Sequence, residues 1–251
     1  MLGPARTALR RLRARLDRRA ALDALSPADR LIVERALPYT LTSVARLQAL
    51  VDAVRYCVAR ELPGAFAECG VWRGGSVLAM LLTLQELGRP DRDVYLFDTF
   101  EGMTAPTERD VSALDPPALR EWNEALARGE RPWQEYFDPA LVNERAVADV
   151  LHATGYPAER LHLVRGPVET TLPAQAPDRL ALLRLDTDWY ASTRHELEQL
   201  YPRLVGEGVL IIDDYGHWEG AREAVDEYFA AHGPAPLLQR VDYTGRMAVK
   251  P

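Results

Sequence analysis

Two stretches of this chain decide its fold: LLRLDTD at residues 182–188 and VLIIDDY at residues 209–215. Each is an apolar run of strand length that ends in a pair of acids. In open α/β sheets, ligands bind in the crevice outside the carboxyl ends of the strands. The two stretches therefore predict an α/β fold with carboxylates at its ligand crevice.

The acids at these strand ends are Asp186, Asp213 and Asp214. Three converging carboxylates suit a hard divalent cation such as Mg²⁺, which prefers oxygen ligands and leaves positions for water or substrate oxygens. Acids at strand ends also serve as helix caps and turn formers, and this interpretation stays open for each residue taken alone. The adjacent pair Asp213 and Asp214 favours the cation, because two like charges at the end of a buried strand destabilise the fold unless something compensates them.

The composition limits the classes of protein that the chain can represent. Its 251 residues fit one α/β domain with elaborations, and its formal net charge of −7 argues against nucleic acid as a partner, because phosphate binding needs a basic face. The two cysteines, Cys57 and Cys69, lack metal-ligand spacing and fit buried thiols in a reducing cytoplasm. We find no apolar stretch of the roughly 18 residues that a membrane helix needs, and no signal-peptide core. We therefore expect a cytoplasmic protein that does not bind membranes.

The order of elements predicts a helical arm and lid at residues 1–60 and a larger domain at residues 61–251. Over residues 42–60 the apolar positions recur at spacings of three and four, which predicts an amphipathic helix laid against the sheet. The domain opens at residues 65–87 with a strand, a glycine turn and a helix, the unit that begins nucleotide-binding folds. An insertion at about residues 103–138 is interpreted as a substrate-facing lid. Residues 237–249 predict an antiparallel hairpin that closes a mostly parallel sheet.

The glycine turn after the first strand indicates the cofactor. A dinucleotide site requires Gly-x-Gly-x-x-Gly, whereas this chain has Gly70, Gly74 and Gly75, with Glu68 ahead of the first glycine. Such an open turn suits S-adenosylmethionine, because the backbone around Gly70 can approach the amino-acid part of the cofactor closely. Asp98, at the end of the second strand, can accept hydrogen bonds from both ribose hydroxyls. A tight strand-to-helix turn and a helix-capping aspartate remain the alternative interpretations.

Taken together, these acids and glycines occur in an order that resembles the macrocin O-methyltransferase family, the metal- and S-adenosylmethionine-dependent sugar O-methyltransferases of antibiotic pathways. The resemblance runs from about Pro38 to the C-terminus. It rests on motifs at residues 39–40, 46–47, 68–75, 98–102, 171–173, 184–193, 213–215 and 224–228, which read YT, RL, ECGVWRGG, DTFEG, TLP, RLDTDWYAST, DDY and AVDEY. It implies a Rossmann-like class I methyltransferase fold.

The resemblance also implies roles for single residues. The metal ligands are Asp186, Asp213 and Asp214, and Asp186 is in addition the general base that takes the proton of the sugar hydroxyl. The cofactor pocket contains Thr40, Glu68, Gly70, Ser76, Asp98 and Gly166. Arg184 shares one side of its strand with Asp186, so it is assigned to the cofactor pocket, with a buried ion pair to an acid as the alternative. His217 is either an auxiliary base or a surface or packing residue.

The expected function is S-adenosylmethionine- and Mg²⁺-dependent O-methylation of a sugar hydroxyl on a natural product, such as a macrolide or an aminocoumarin. The expected partner is a small glycosylated molecule, and we expect a homo-oligomer, because family members are often oligomeric. Three alternatives stay open: a catechol-type O-methyltransferase, a non-catalytic module that binds S-adenosylmethionine, and a metal-dependent phosphate hydrolase. The module does not need three metal carboxylates, and the hydrolase leaves Glu68 and Asp98 unexplained.

Overall fold

A seven-stranded sheet forms the centre of the molecule, and helices cover both of its faces. The computed structural model describes residues 16–251, and the part of the predicted arm at residues 1–15 lies outside the described residues. The strands are β1 (Ala65–Cys69), β2 (Val94–Asp98), β3 (Leu161–Arg165), β4 (Leu180–Leu185), β5 (Leu204–Ile212), β6 (Gln239–Arg240) and β7 (Arg246–Val249). After a helical segment at residues 16–23, the α-helices are α1 (Pro27–Ala36), α2 (Val44–Ala59), α3 (Gly75–Glu86), α4 (Ala118–Ala127), α5 (Glu144–His152), α6 (Val168–Thr171), α7 (Tyr190–Leu200) and α8 (Glu219–His232).

The strand order is β3-β2-β1-β4-β5-β7-β6. Strands β1 to β5 run parallel, and β7 pairs antiparallel with both β5 and β6. This order confirms the predicted Rossmann-like class I methyltransferase fold with a C-terminal antiparallel pair. The order reverses between β1 and β4, and this reversal is where an open α/β sheet leaves its ligand crevice.

Alternation along the strands divides the core into two layers. Phe66 and Leu96 pack in the layer under α1, α2 and α3, whereas Ala67 and Phe97 pack in the layer with α7 and α8. Successive side chains of a strand point to opposite faces. Glu68 therefore lies on the same side as Phe66, and the register of β1 with β4 sets it directly beside Arg184.

The N-terminal helices pack onto the sheet and approach the crevice. The predicted helix at residues 42–60 is found at Val44–Ala59, and the Ser43 hydroxyl caps it by accepting a hydrogen bond from the Arg46 backbone N–H at 3.1 Å. The segment before α2 lies against the start of α3, because a Cβ atom on Gly75 would be only 2.6 Å from the backbone of Tyr39. The segment before α2 therefore contacts α3, the helix that follows the glycine turn.

The insertion at residues 103–138 contains α4 and is tied to the rest of the molecule ahead of that helix. The carboxylate of Asp110, which is fully buried, accepts a hydrogen bond from the backbone N–H of Tyr190 at 2.7 Å. The next residue, Val111, accepts a hydrogen bond from the N–H of Glu219 at 2.8 Å through its carbonyl oxygen. Both donors are first residues of helices, where N–H groups lack partners within the helix. The insertion thus caps α7 and α8.

The sequence pattern predicts a plain connection at residues 170–177 and a helix that begins at residue 193, and both boundaries differ in the structure. Residues 170 and 171 are the last two of the short helix α6, and α7 begins at Tyr190. The earlier start of α7 reflects the hydrogen bond from Tyr190 to the distant Asp110, which the local sequence pattern does not report. Within residues 16–251, the helices are too short or too polar to cross a membrane.

Candidate active site

A cleft of about 510 Å³ opens at the carboxyl ends of β1, β4 and β5. Its size is in the range of small-molecule and cofactor sites, roughly 300–1,000 Å³. Of the sequence-predicted site residues, it is lined by Thr40, Gly70, Ser76, Asp98, Gly166, Asp186, Asp213, Asp214 and His217. Glu68 and Arg184 do not line it and lie beneath its floor, with side chains 1% and 2% exposed.

The three predicted metal ligands converge in this cleft. Asp186, Asp213 and Asp214 each offer a carboxylate oxygen, and these atoms lie within 4.8 Å of one another. Asp186 is the most accessible of the three, with a side chain that is 29% exposed, whereas the Asp213 side chain is 4% exposed. Burial and the charges of Asp188 and Asp186 raise the pKa of Asp214 well above its ordinary value. The positive charge around the Asp214 carboxylate is therefore too small to compensate its burial. A hard divalent cation would supply that charge, and it fits a set of donors that are all oxygen atoms.

Arg184 joins the acids from below. Its guanidinium group donates to Asp186 at 2.6 Å, to Asp213 at 2.5 Å and to Glu68. Alternation explains this arrangement, because Arg184 and Asp186 are two residues apart on β4 and Asp213 follows two residues after Ile211, the register partner of Arg184 on β5. Of the two sequence interpretations of Arg184, the structure shows the buried ion pair. This contact orients Asp186 from outside the cleft.

Glu68 is the deepest acid of the network. Burial raises the pKa of Glu68 to about 8, against the opposing charge of Arg184. One of its oxygens, Oε2, is buried without a hydrogen-bond partner among the described residues. Buried polar atoms nearly always have a partner, so this acceptor beneath the cleft floor is unusual.

Helix α2 also contributes a residue to the acid cluster. Arg46 on α2 forms ion pairs with Asp213 and, at 3.1 Å, with Asp242 in the turn before β7. Ser43 donates a hydrogen bond to Asp242 at 2.7 Å. Both oxygens of Asp213 thus already accept from guanidinium groups, of Arg184 and of Arg46. Sequence reasoning gave Arg46 as a family motif residue but assigned it no role.

Asp188 is a site residue that sequence reasoning did not assign. It adopts a left-handed backbone conformation with φ +66°, which is uncommon for residues other than glycine. Its carboxylate accepts a hydrogen bond from the indole N–H of Trp218 at 2.7 Å, and its backbone N–H donates to Asp214 at 3.3 Å. Burial and the neighbouring charge of Asp186 raise the pKa of Asp188 to about 7. The sequence signal that could have identified Asp188 as a site residue is its position two residues after Asp186.

The glycine turn is organised by Asp98. This carboxylate accepts hydrogen bonds from the backbone N–H groups of Val71 at 2.6 Å, Trp72 at 3.1 Å and Phe100 at 2.6 Å. Asp98 therefore holds two loops together, and the predicted contact with ribose hydroxyls stays a prediction. Gly70 has φ +80°, and a side chain there would overlap the carbonyl oxygen of Asp186. The close approach of β1 to β4 is thus by itself a reason for glycine at this position.

His217 lies at the opposite wall of the cleft. Its Nε2 atom is 2.7 Å from the carboxylate of Asp115 in the insertion, and its Nδ1 atom is 3.3 Å from the hydroxyl of Tyr243. Both ring nitrogens therefore have partners on flanking loops. This arrangement agrees with a packing residue that connects the insertion to the C-terminal hairpin.

A chain of aromatic rings, termed here the aromatic row, leads from the carboxylates into the insertion. Neighbouring ring centroids are 4.9 to 5.9 Å apart. The members in order are Trp122, Trp133, Trp189, Trp218, His217 and Tyr243. All of them except Trp122 line the cleft.

Comparisons with known proteins identify relatives of this chain by sequence and by fold. The sequence model of the macrocin-O-methyltransferase (TylF) family matches residues 18–249. The 8-demethyl-8-(2,3-dimethoxy-alpha-L-rhamnosyl)-tetracenomycin-C 4'-O-methyltransferase of Streptomyces olivaceus is 34% identical over 211 residues, which cover 84% of this chain and 75% of the relative. Demethyldecarbamoylnovobiocin O-methyltransferase of Streptomyces niveus is 31% identical over 207 residues, covering 82% and 74%. The solved structure of the O-methyltransferase NovP superposes with a TM-score of 0.71 at 30% identity, covering 84% and 82%.

Proposed function

The chain belongs to the macrocin O-methyltransferase family and is an O-methyltransferase; from this premise we propose that it transfers the methyl group of S-adenosylmethionine to a sugar hydroxyl of a natural-product glycoside, with Mg²⁺ at the acid cluster. The observation that carries the proposal is the convergence of Asp186, Asp213 and Asp214 beside the glycine turn of β1. The relative from Streptomyces olivaceus supports the acceptor class, because its name describes 4'-O-methylation of a molecule that carries a rhamnosyl group.

The proposed metal ligands are Asp186, Asp213 and Asp214. The charges support a cation, because these three carboxylates together with Asp188 and Glu68 face the positive charges of Arg184 and Arg46. When bound, Mg²⁺ would lower the pKa of a substrate hydroxyl and help fix its position.

Asp186 is the proposed proton acceptor. One of its oxygens accepts from Arg184, and the other makes no hydrogen bond with any described residue, so it is free to accept the proton of a substrate hydroxyl. Asp213 is less suited to this role, because each of its oxygens already accepts a hydrogen bond from an arginine. A carboxylate in hydrogen-bond reach of the hydroxyl typically contributes about 10²–10⁴-fold to the rate.

The proposed cofactor site is the cleft wall formed by the glycine turn, the end of β2 and Thr40 of the lid. S-adenosylmethionine would supply an electrophilic methyl group on its sulfonium sulfur. The carboxylates that line the cleft support a ligand that carries cationic ammonium and sulfonium groups, because they supply the opposite charge. Holding donor and acceptor in line is the main contribution that the protein makes to a displacement of this kind.

The charge of the cleft favours a finished glycoside over a nucleotide-linked sugar. Nine carboxylates line it, and among the lining residues in the described chain Arg46 is the one arginine and lysine is absent. Arg46 is already paired with Asp213 and Asp242. Apart from the proposed metal, a diphosphate would thus meet like charges without an unpaired arginine or lysine side chain to bind it. Glycosyl transfer is therefore proposed to precede methylation.

Calorimetric titration of S-adenosylmethionine and of Mg²⁺ into the full chain tests the proposal. The wild type is expected to bind both, and an Asp213→Ala, Asp214→Ala double variant is expected to lose the metal and keep the cofactor. Asp226→Ala is the matched control, because this acid on α8 contacts Tyr215 outside the cleft. The proposal is wrong if the cofactor does not bind with or without metal. Methyl transfer to a catechol but to none of a panel of glycosides would favour the catechol-type alternative.

A further inference from the structure

The aromatic row extends beyond the place where a sugar would react. Its corner at Trp189 and Trp218 is fixed to the acid cluster, because Trp218 donates to Asp188 and Trp189 follows Asp188 in the chain. From Trp189 the row continues to Trp133, with ring centroids 5.8 Å apart and planes tilted by 41°. A pyranose ring is about as wide as one indole, so a sugar at the carboxylates would cover the corner and leave Trp133 uncovered.

The three indoles of the row that line the cleft offer apolar surface and no free donor. The indole N–H of Trp189 donates to the carbonyl oxygen of Thr104 at 3.0 Å, and that of Trp133 donates to Glu121 at 3.1 Å. Together with the bond from Trp218 to Asp188, these contacts use the N–H groups of all three rings and fix their orientations. A ligand on these three indoles can therefore interact with ring faces and edges only.

Trp133 is held in a costly backbone conformation. It has φ +50° in the insertion, and a bulky residue with positive φ is an outlier that persists where the surrounding structure enforces it. Such conformations cluster at ligand sites. The half-buried indole of Trp133 faces the cleft as part of its lining.

The charges around Trp133 limit what can lie there. Glu121 and Glu135 line the same part of the cleft, and the described lining residues provide no unpaired arginine or lysine to balance them. An anionic group next to Trp133 would lose hydration and meet like charge. Charge complementarity thus excludes sulfonated, phosphorylated or carboxylated groups at this end of the cleft.

We infer that Trp133 and the adjoining part of the aromatic row form the subsite for the aglycone of the acceptor, and that this aglycone is a planar, uncharged polycyclic aromatic group. The inference rests on the proposed function and adds the substrate class to it. Tilted indoles with fixed faces favour offset stacking and edge-to-face contact, which a flat aromatic ring system makes and a puckered aliphatic macrocycle does not.

Calorimetry with dihydroxyanthraquinone tests the subsite without knowledge of the sugar. The wild-type chain of 251 residues, Trp133→Leu and Trp133→Phe are compared. Leucine removes the aromatic face and phenylalanine keeps one, so we expect Trp133→Leu to weaken binding by about tenfold and Trp133→Phe by much less. Equal melting temperatures and equal S-adenosylmethionine affinities in the three proteins control for misfolding.

Two further probes test the chemical class. Anthraquinone sulfonate and a neutral macrocyclic lactone of similar mass should each bind more weakly than dihydroxyanthraquinone. The inference is overturned if the lactone binds as tightly as dihydroxyanthraquinone. It is also overturned if Trp133→Leu binds dihydroxyanthraquinone as tightly as the wild type does. Failure of S-adenosylmethionine to bind overturns the proposed function instead, and the anthraquinone results still decide the subsite.

Discussion

Replacing Arg184 by methionine is expected to destabilise the protein severely. Arg184 is buried and pairs with Glu68, Asp186 and Asp213, so the variant leaves these three acids without their shared cation. Methionine has a similar length and keeps most of the packing, so the loss is mainly electrostatic. Removing one partner of a buried ion pair typically costs about 3–5 kcal/mol.

The exposure of the three acids decides how much each contributes to this loss of stability. Asp186 has a side chain that is 29% exposed and regains water, whereas Glu68 and Asp213 are 1% and 4% exposed and do not. Asp213 keeps its ion pair with Arg46, so the loss of about 3–5 kcal/mol is expected mainly from Glu68, and the corresponding fall in melting temperature is roughly 6–20 °C for a chain of this size. Added Mg²⁺ should restore part of the loss, since it neutralises Asp186 and Asp213.

The loss should also depend on pH. Arg184 lowers the pKa of Glu68, which burial raises to about 8, so removing the arginine raises that pKa further. The folded variant then binds a proton that the unfolded chain, with a glutamate pKa of about 4.3, has released. Stability falls with rising pH wherever the native state binds more protons, so the deficit relative to wild type is larger at pH 8 than at pH 6.

Urea unfolding followed by circular dichroism at both pH values measures the free energies. Arg60→Met is the matched control, because its ion pair with Glu207 has side chains 53% and 51% exposed and should contribute less than about 1 kcal/mol. A deficit for Arg184→Met no larger than that of the control, or one that does not change with pH, would refute the reasoning.

Three other predictions concern the cleft. Asp186→Asn keeps the shape but removes the proton acceptor, so methyl transfer should fall by about 10²–10⁴-fold with unchanged cofactor affinity, and near-normal turnover in a product assay would remove Asp186 from the mechanism. Mg²⁺ binding should release protons, because burial and like charges raise the pKa values of Asp188 and Asp214 and a bound cation lowers these values again. Calorimetry in two buffers of different ionisation enthalpy counts the released protons, and the absence of proton release at pH 6 would contradict the prediction. Gly75→Ala sets a methyl group 2.6 Å from the lid backbone and should cost about 1–3 kcal/mol in thermal unfolding, whereas Gly206→Ala, with only an ordinary contact at 3.8 Å, should not.

The strands and their terminal acids could be predicted from sequence because both are local signals. The apolar runs of β4 and β5 and the acids that follow them are read within a few residues, and the fold class follows from their spacing. The convergence of Asp186, Asp213 and Asp214 follows as well, since parallel strands end at the same edge of the sheet.

The role of Arg184 could not be decided in this way. Its choice between cleft and buried ion pair depends on the register of β1 with β4, which pairs it with Glu68 across 116 positions of sequence. Local patterns do not report register between distant strands. Asp188 was not assigned to the site from sequence for a related reason, because its turn is fixed by Trp218 on a loop 30 positions away.

The insertion was the part least accessible to prediction. Its helix α4 and the packing of Trp133 on Trp189 depend on contacts between segments far apart in sequence. Composition indicated a substrate-facing segment but gave neither element bounds nor a role for any single residue. The expected homo-oligomer likewise stays a prediction.

The capping of α7 and α8 by the insertion has a consequence for exchanging acceptor specificity between relatives. Asp110 and the carbonyl of Val111 satisfy the first N–H groups of two helices that flank the acid cluster. A chimera that carries a foreign segment at residues 103–138 must therefore bring equivalent acceptors for Tyr190 and Glu219. Selectivity and scaffold integrity are inherited together in this segment, so exchanges confined to the part after Val111 are the ones that should yield folded hybrids.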